Sequence, residues 1–314
     1  MNPATDPLDA VHLGPEAVRR YLRRNGLEPR TSLSQNHLVD RTALEARLEA
    51  AQPAPGRHGL EVGSGIGILP GALLGARAAV TAVEVDARLA RHLRTRFAAE
   101  MAVAGEEPGV PGSLALVEGD VLDLSIEGIV EPPYDLVANL PYHITSPVLH
   151  LVLGGEPRPE RFVLMLQREV AERIAAEPGG MSYLSVFVQY HAAVRVLRVV
   201  PAAAFEPVPE VDSAILAGTA RPPRLSSEEE SSLWRLVQAG FRERRKMLRN
   251  VLGRQLPELG GDLLARAFAR AEIAPDRRPQ TLSVADWLAL AEALGTIGPG
   301  WRSTSRSAVA SPPR

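Results

Sequence analysis

From Gly59 onward the hydrophobic positions fall into short β-like runs separated by helical stretches. Residues 60–62 and 81–85 read as the first two strands, 114–117 as the third, 134–138 as the fourth and 162–166 as the fifth. Between the second and third strands, Leu89, Leu93, Phe97 and Met101 recur every four residues, the spacing of one helix face, and Asp86 stands where an N-cap belongs. A second helix follows the fifth strand through Glu169, Val170 and Ile174. Residues 184–200 are apolar and β-branched, broken by Gln189 and Arg195, and read with the strands; residues 214–217 supply a last short run. Strands alternating with helices in this way predict an α/β domain whose sheet is largely parallel and covered on both faces.

The pattern changes at residues 221–231, which are rich in Pro, Ser and Glu and read as a linker. Beyond it, residues 233–252 and 263–294 carry helical patterns. The expected organisation is an Arg-rich N-terminal extension (1–30) with one amphipathic stretch at 17–22, an α/β domain (31–222), a smaller helical domain (223–298) and a disordered tail rich in Ser, Pro and Arg (299–314). A chain of 314 residues accommodates that division.

Composition narrows the chemistry. The chain has no cysteine, which removes disulfides, thiolate metal sites, cysteine nucleophiles and iron–sulfur radical reactions together. No metal-binding cluster is expected. The net charge of −2 conceals an asymmetry: residues 1–220 hold 19 basic and 27 acidic side chains, residues 221–314 hold 16 and 10. A basic module on an acidic body suits a polyanionic partner met through the C-terminal part. No apolar run reaches the ~18–20 residues that span a bilayer, and residues 1–9 carry Asp6 and Asp9 without an apolar stretch, so no signal peptide and no membrane are expected, and the cytoplasm is.

Three consecutive strand ends carry groups suited to one ligand. Glu61-Val62-Gly63-Ser64-Gly65-Ile66-Gly67 follows the first strand and opens a helix, where glycines let backbone N–H groups approach a ligand at the helix N-terminus. Glu84 closes the second strand at the distance where a carboxylate accepts from a ribose diol. A dinucleotide fingerprint requires its third glycine at position 68, which is Ile68. The spacing G-x-G-x-G, with an acid two residues earlier, instead resembles motif I of class I methyltransferases. Asp120 closes the third strand and is placed to accept from the cofactor's adenine amine.

The fourth strand ends in Asn139-Leu140-Pro141-Tyr142, the (Asn/Asp/Ser)-x-Pro-(Tyr/Phe) pattern of enzymes that methylate exocyclic amines. The lone pair of adenine N6 is delocalised into the ring and is a poor nucleophile. The Asn139 side-chain oxygen and the Leu140 carbonyl can accept its two N–H bonds, drawing the nitrogen toward tetrahedral geometry and aiming its lone pair at a sulfonium methyl. Pro141 fixes the turn, and Tyr142 offers a face for an unstacked base. Phe205, held between prolines before the last strand, reads equally as a second stacking face or as a core aromatic.

With these motifs the chain resembles the KsgA/RsmA family of small-subunit ribosomal RNA dimethyladenosine transferases, over roughly residues 30 to 295. The resemblance extends to Ser34-Gln35-Asn36-His37-Leu38, to Gln167-Arg168-Glu169-Val170-Ala171, to Glu210-Val211-Asp212-Ser213-Ala214, to Arg244-Arg245-Lys246-Met247-Leu248-Arg249-Asn250 and to Arg278-Pro279-Gln280-Thr281-Leu282-Ser283. His37, His143, Ser64 and Glu210 depart from the family's usual Phe, Asn, Pro and Lys. The resemblance implies a class I (Rossmann-like) methyltransferase domain with a smaller C-terminal helical domain. It implies S-adenosyl-L-methionine as cofactor, contacted by Asn36, Leu38, Gly63, Glu84, Asp120 and Asn139, with Gly65 in the same glycine loop. The implied reaction places two methyls on N6 of each of two adjacent adenosines near the 3′ end of 16S rRNA, late in small-subunit assembly, by a monomeric enzyme.

On a helix, Arg242, Arg245, Lys246 and Arg249 fall at i, i+3, i+4 and i+7, which predicts one basic face for RNA phosphates. Two other readings stay open. Ser64 and the Ser-Gln-Asn opening lean toward the resistance-type methyltransferases of large-subunit (23S) rRNA. A non-catalytic RNA-binding or transcription-factor relative could also keep the fold, although Asn139, Pro141 and Tyr142 are intact.

Overall fold

The computed structural model describes residues 13–106 and 110–295, arranged in two compact units. The first holds the described residues up to Ala175 together with Phe187–Pro222; the second holds Ala176–Val186 and the described residues from Pro223 onward. The acidic first residues and the tail expected at 299–314 lie outside the described residues.

In chain order the elements through the last strand are α1 (Pro15–Asn25), β1 (His37–Leu38), α2 (Arg41–Ala51), β2 (His58–Val62), α3 (Ile68–Gly75), β3 (Ala79–Glu84), α4 (Ala87–Arg96), α5 (Ala98–Glu106), β4 (Leu114–Glu118), β5 (Asp135–Asn139), α6 (Thr145–Gly154), β6 (Arg161–Gln167), α7 (Arg168–Ile174), α8 (Tyr183–His191), β7 (Ala192–Val200), β8 (Phe205–Glu206) and β9 (Ser213–Ala220). Seven strands form one sheet in the order β4-β3-β2-β5-β6-β9-β7, and β1 pairs with β8 in a separate ribbon. The five strands from β4 to β6 run parallel, while β9 is antiparallel to both β6 and β7. Every residue of β3 is buried, as befits a central parallel strand covered on both faces. This is the Rossmann-like α/β architecture, and it has a second, helical unit.

Local chemistry sets the helix starts. The Asp86 side chain accepts from the Arg88 amide and caps α4, as its position in the sequence predicts. Asp40 does the same for α2, accepting from the Ala43 amide at 2.7 Å. The four-residue apolar period holds across two helices: Leu89, Leu93 and Phe97 are buried, and the chain bends at Phe97 between α4 and α5.

Three sequence expectations are corrected. The stretch 17–22, expected in an N-terminal extension outside the α/β domain, belongs to the first unit. It lies in α1, which buries Val18 and Leu22 in the core of the first unit and ties Tyr21 to His92 at 2.9 Å. The apolar run 184–200 is not one extended stretch; its first part is helix α8 and only 192–200 is strand. Ser182 decides this locally, since its carbonyl accepts from the Val186 amide and its hydroxyl from the Ser185 amide, starting a helix whose apolar residues are buried.

The third correction concerns the second unit, built from α9 (Ser227–Phe241), α10 (Leu248–Gln255), α11 (Gly261–Arg270) and α12 (Val284–Leu294) around the fully buried Trp287. The helix expected over 233–252 breaks at residues 242–247. At Gly240 an added Cβ would come within 2.5 Å of the Trp287 ring and 2.9 Å of the Leu248 side chain, so both side chains pack directly on the α9 backbone there. Leu248, fully buried, turns its amide to the Arg277 carbonyl at 2.8 Å instead of to the preceding helical turn. Docking of Leu248 against this core outweighs the helical propensity of the basic run. The pattern at 263–294 likewise divides into α11 and α12, parted at Glu272, which adopts a left-handed conformation, and by the prolines that follow.

Candidate active site

Strand order reverses direction between β2 and β5: β3 and β4 lie to one side, and β6 and its antiparallel neighbours to the other. In an open α/β sheet, ligands bind beyond the carboxyl ends of the strands at such a switch point. The two loops that the sequence singles out leave those two strands. Gly63 to Gly67 follow β2, and Asn139 to Tyr142 close β5. The loops touch: Gly63 has φ of +79°, and a Cβ there would stand 3.4 Å from Pro141 Cδ.

Glu84, at the end of β3, braces the glycine loop. One carboxylate oxygen accepts from the Gly65 amide at 2.8 Å and the other from the Asp86 amide at 2.9 Å. Burial raises the Glu84 carboxyl above its usual range, although both amide bonds favour the charged form. Asp86 in turn accepts from Gln35 at 3.0 Å and pairs with Arg88 at 2.7 Å, which ties the Ser34–Leu38 segment to the end of β3. The Arg88 hydrogen bond, before any other influence, holds the Asp86 carboxyl far below the usual carboxylate range.

These elements enclose a cleft with about 700 Å³ of empty space, partly open to solvent. Asn36, Leu38, Gly63, Gly65, Glu84 and Asn139 all line it. Asp120 lies instead on an adjoining cleft of about 480 Å³, which shares Leu33, Gly63, Val85 and Pro141 with the first, so the two are compartments of one groove. Asp120 caps the turn after β4, accepting from the Leu122 amide at 3.0 Å.

The larger compartment is rich in polar atoms that no protein group satisfies. Nε and Nη2 of Arg47, Oε2 of Glu61 and Nε2 of His37 are buried without a hydrogen-bond partner, and all three residues line the cleft. Such atoms are rare in folded proteins unless ordered water, an ion or a ligand completes them. The donor set is that of a ligand with separate positive and negative ends, and S-adenosyl-L-methionine has such ends. Burial pushes the Glu61 carboxyl up to about 8, pulls the Arg47 guanidinium down to about 10, and holds the His37 imidazole near 4 and therefore neutral at pH 7.

The amine-binding residues are held at their backs. The Asn139 side-chain nitrogen donates to the Asn36 carbonyl at 3.3 Å, which leaves Oδ1 as the accepting end. Leu140 is buried, its amide donating to the Met165 carbonyl on β6. The Pro141 carbonyl accepts from the Ile144 amide at 3.1 Å. Tyr142 is half-buried, its hydroxyl 3.0 Å from the Ser213 hydroxyl at the start of β9. His143 Nδ1 lies 3.4 Å from Ser34 Oγ, so the segments around 34 and 143 face each other across the groove mouth.

Two site expectations change. Phe205 is 1% exposed and lies in the hydrophobic core, in register opposite Leu38 across the β1–β8 ribbon. Its ring presents no stacking face, and the core alternative holds. Arg242, Arg245, Lys246 and Arg249 do not share one helical face, because Arg242 caps the end of α9, Arg245 and Lys246 lie in the turn, and Arg249 opens α10. All four are exposed. The only acid of the run, Glu243, is taken by Arg254 at 2.8 Å, while Arg245, Lys246 and Arg249 form no ion pair among the described residues.

Residues 26–295 match the ribosomal RNA adenine dimethylases. The chain belongs to this family. Among its relatives, the ribosomal RNA small subunit methyltransferase A of Anaeromyxobacter sp. (strain K) is 39% identical over 290 residues, covering 88% of this chain and 97% of that protein. The protein of the same name from Moorella thermoacetica is 37% identical, covering 89% and 97%. That of Synechococcus sp. (strain JA-3-3Ab) is 40% identical, covering 85% and 93%. Among solved structures, the 23S rRNA methyltransferase ErmE superposes with a TM-score of 0.64 at 27% identity, over 82% of this chain and 99% of that one. A dimethyladenosine transferase from Plasmodium falciparum, 24% identical, shares the fold with a TM-score of 0.63 over 81% and 95%.

In this ribosomal RNA adenine dimethylase, sequence reasoning missed Arg47, because an arginine on a helix ordinarily reads as solvated. The signal was its position: Ala43, Leu44, Arg47 and Ala51 form the buried face of α2. Ser213 was visible as part of a motif, but its partner Tyr142 is 71 residues away.

Proposed function

We propose that this enzyme transfers methyl groups from S-adenosyl-L-methionine to N6 of adenine in small-subunit rRNA, dimethylating two adjacent adenosines near the 3′ end of the 16S molecule. The observation that carries the reading is the contact between the Gly63 loop and the Asn139–Tyr142 turn at one switch point, with a groove running past both. When bound, the cofactor supplies an electrophilic sulfonium methyl.

The chain's own residues then have separable tasks. Glu84 takes the ribose hydroxyls while keeping its two amide bonds, since carboxylate oxygens accept more than once. Asp120, in the second compartment, takes the cofactor's adenine amine. Asn139 Oδ1 and the Leu140 carbonyl accept the two N–H bonds of the target amine, so its lone pair turns out of the ring plane. Tyr142, fixed by Ser213, provides the surface on which the extruded base lies. No strong base is needed, because the amine becomes far more acidic once methylated and can release its proton to water. His37 is neutral and buried, and serves as wall rather than base.

The small-subunit target is supported by relatives at 37–40% identity named small subunit methyltransferases, against 27% for the 23S enzyme. The basic turn at 242–249 supplies phosphate contacts to rRNA within the small subunit or its precursor. Among the described residues no helix is long and apolar enough to cross a membrane. The same reading has the enzyme act as a monomer, in the cytoplasm. Mass spectrometry of rRNA nucleosides, mapped to position in cells with and without the gene, tests the proposal. Dimethyladenosine should vanish from two neighbouring 3′ positions of the small-subunit rRNA; loss from the large-subunit rRNA instead would overturn the target.

A further inference from the structure

We propose that Arg47 recognises the carboxylate of the donor's amino-acid end, with Glu61 opposite it facing the ammonium, so that the two side chains clamp a zwitterion. The inference rests on the methyl-donor reading above and deepens it.

Both residues are 1% exposed, Arg47 on the inner face of α2 and Glu61 within β2, and both line the larger compartment. They feel each other's charge, yet Nε and Nη2 of Arg47 and Oε2 of Glu61 have no hydrogen-bond partner. A structural ion pair in this protein looks different. On the same sheet, Arg57 and Arg161 close on Asp135 at 2.6 Å and 2.8 Å, with several hydrogen bonds each. A buried guanidinium and a buried carboxyl that do not close on each other are costly to keep unless something completes them. An α-amino acid suits the gap, since it presents an anion and a cation from one carbon and in the complementary order. The Ser64 hydroxyl, which lies against the Glu61 carboxyl and lines the same cleft, supplies a further polar contact. A guanidinium is the side chain best shaped for a carboxylate, through paired N–H bonds. The clamp therefore makes the amino-acid end, and not the adenosine end alone, a condition of tight binding.

Calorimetric titration of the full chain with three ligands tests this. S-adenosylhomocysteine has both charged groups, S-adenosyl-3-thiopropylamine lacks the carboxylate, and 5′-methylthioadenosine lacks both. The wild type should bind the thiopropylamine at least about tenfold more weakly than S-adenosylhomocysteine. Arg47→Met should weaken S-adenosylhomocysteine by about tenfold to a hundredfold and leave the other two within about twofold. Arg47→Lys, which keeps the charge opposite Glu61, should fold normally and lose part of the same discrimination. Glu61→Gln should weaken both amine-bearing ligands and spare 5′-methylthioadenosine. If the wild type fails to distinguish S-adenosylhomocysteine from the thiopropylamine, or Arg47→Lys weakens all three ligands equally, Arg47 is only a counter-charge and the clamp is wrong. If the wild type takes up none of the three, the donor reading itself falls, and the clamp with it.

Discussion

The switch-point loops and the basic turn at 242–249 solve opposite problems. Around the cleft, a chain of polar contacts fixes each side chain: Gln35 on Asp86, Glu84 on the Gly65 amide, Asn139 on Asn36, Tyr142 on Ser213. In the turn, Arg245, Lys246 and Arg249 are exposed and unpaired among the described residues, and only Leu248 beneath them is pinned. Methyl transfer needs atoms aligned to within fractions of an ångström, so its residues are over-determined. Attraction to a phosphate backbone needs net charge within reach, and long mobile side chains meet that requirement at low entropic cost before binding. The difference separates what a mutation in each region should damage.

The sharpest break comes from Asn139→Ala. Removing the acceptor should lower kcat by about 10²–10³, the size of effect seen when one transition-state hydrogen-bond partner is lost, while binding of S-adenosylhomocysteine and of RNA stays near wild type. An equal loss of RNA affinity would mean that the two regions are not separable. Next is acid stability of the ordered region. The folded protein holds His37 near 4 against 6.5 for a free imidazole, so between those values the unfolded chain binds more protons and stability falls as pH drops. Urea titrations of His37→Phe at pH 7 and pH 4.5 should show a shallower acid loss than wild type, by at most about 3 kcal/mol. Reversal of Arg245 and Arg249 to Glu should weaken RNA binding by about tenfold or more and flatten its dependence on log salt by about two units, with cofactor affinity unchanged. A parallel loss of cofactor affinity would erase the contrast. The smallest effect is Tyr142→Phe: loss of the Ser213 bond should raise KM for RNA by about fivefold, near 1 kcal/mol, with little change in cofactor binding.

Much of the first unit was legible because its signals are local. The glycine loop, Glu84, Asp120 and Asn139 each close a strand whose apolar run stands out in the sequence, and Asp86 caps the helix where its position predicts. Signals failed where tertiary contacts override local pattern. Residues 183–191 are mostly apolar and buried, and buried helix and buried strand share that pattern; the Ser182 hydrogen bonds decide it. The basic run keeps helical spacing up to Arg249, yet breaks because Leu248 docks with Trp287 beside Gly240. Phe205 between prolines resembles a surface loop residue, and only the β1–β8 pairing, 167 residues apart, buries it. Arg47 lies farthest from sequence reasoning: Glu61 stood out as the acid of the glycine loop, but the arginine that faces it without bonding comes from helix α2.

The contact between Gly63 and Pro141 has a consequence for how such a site can vary. One loop serves the methyl donor and the other the acceptor, and a Cβ at Gly63 would already rest against Pro141, so a longer side chain there would press on its neighbour. Libraries randomised at 63–67 alone, or at 139–142 alone, should yield few active clones even when the chosen residues are acceptable in isolation. Joint randomisation should recover pairs in which a bulkier first loop is matched by a slimmer second one, so new acceptor preferences should be reached by paired changes rather than one position at a time.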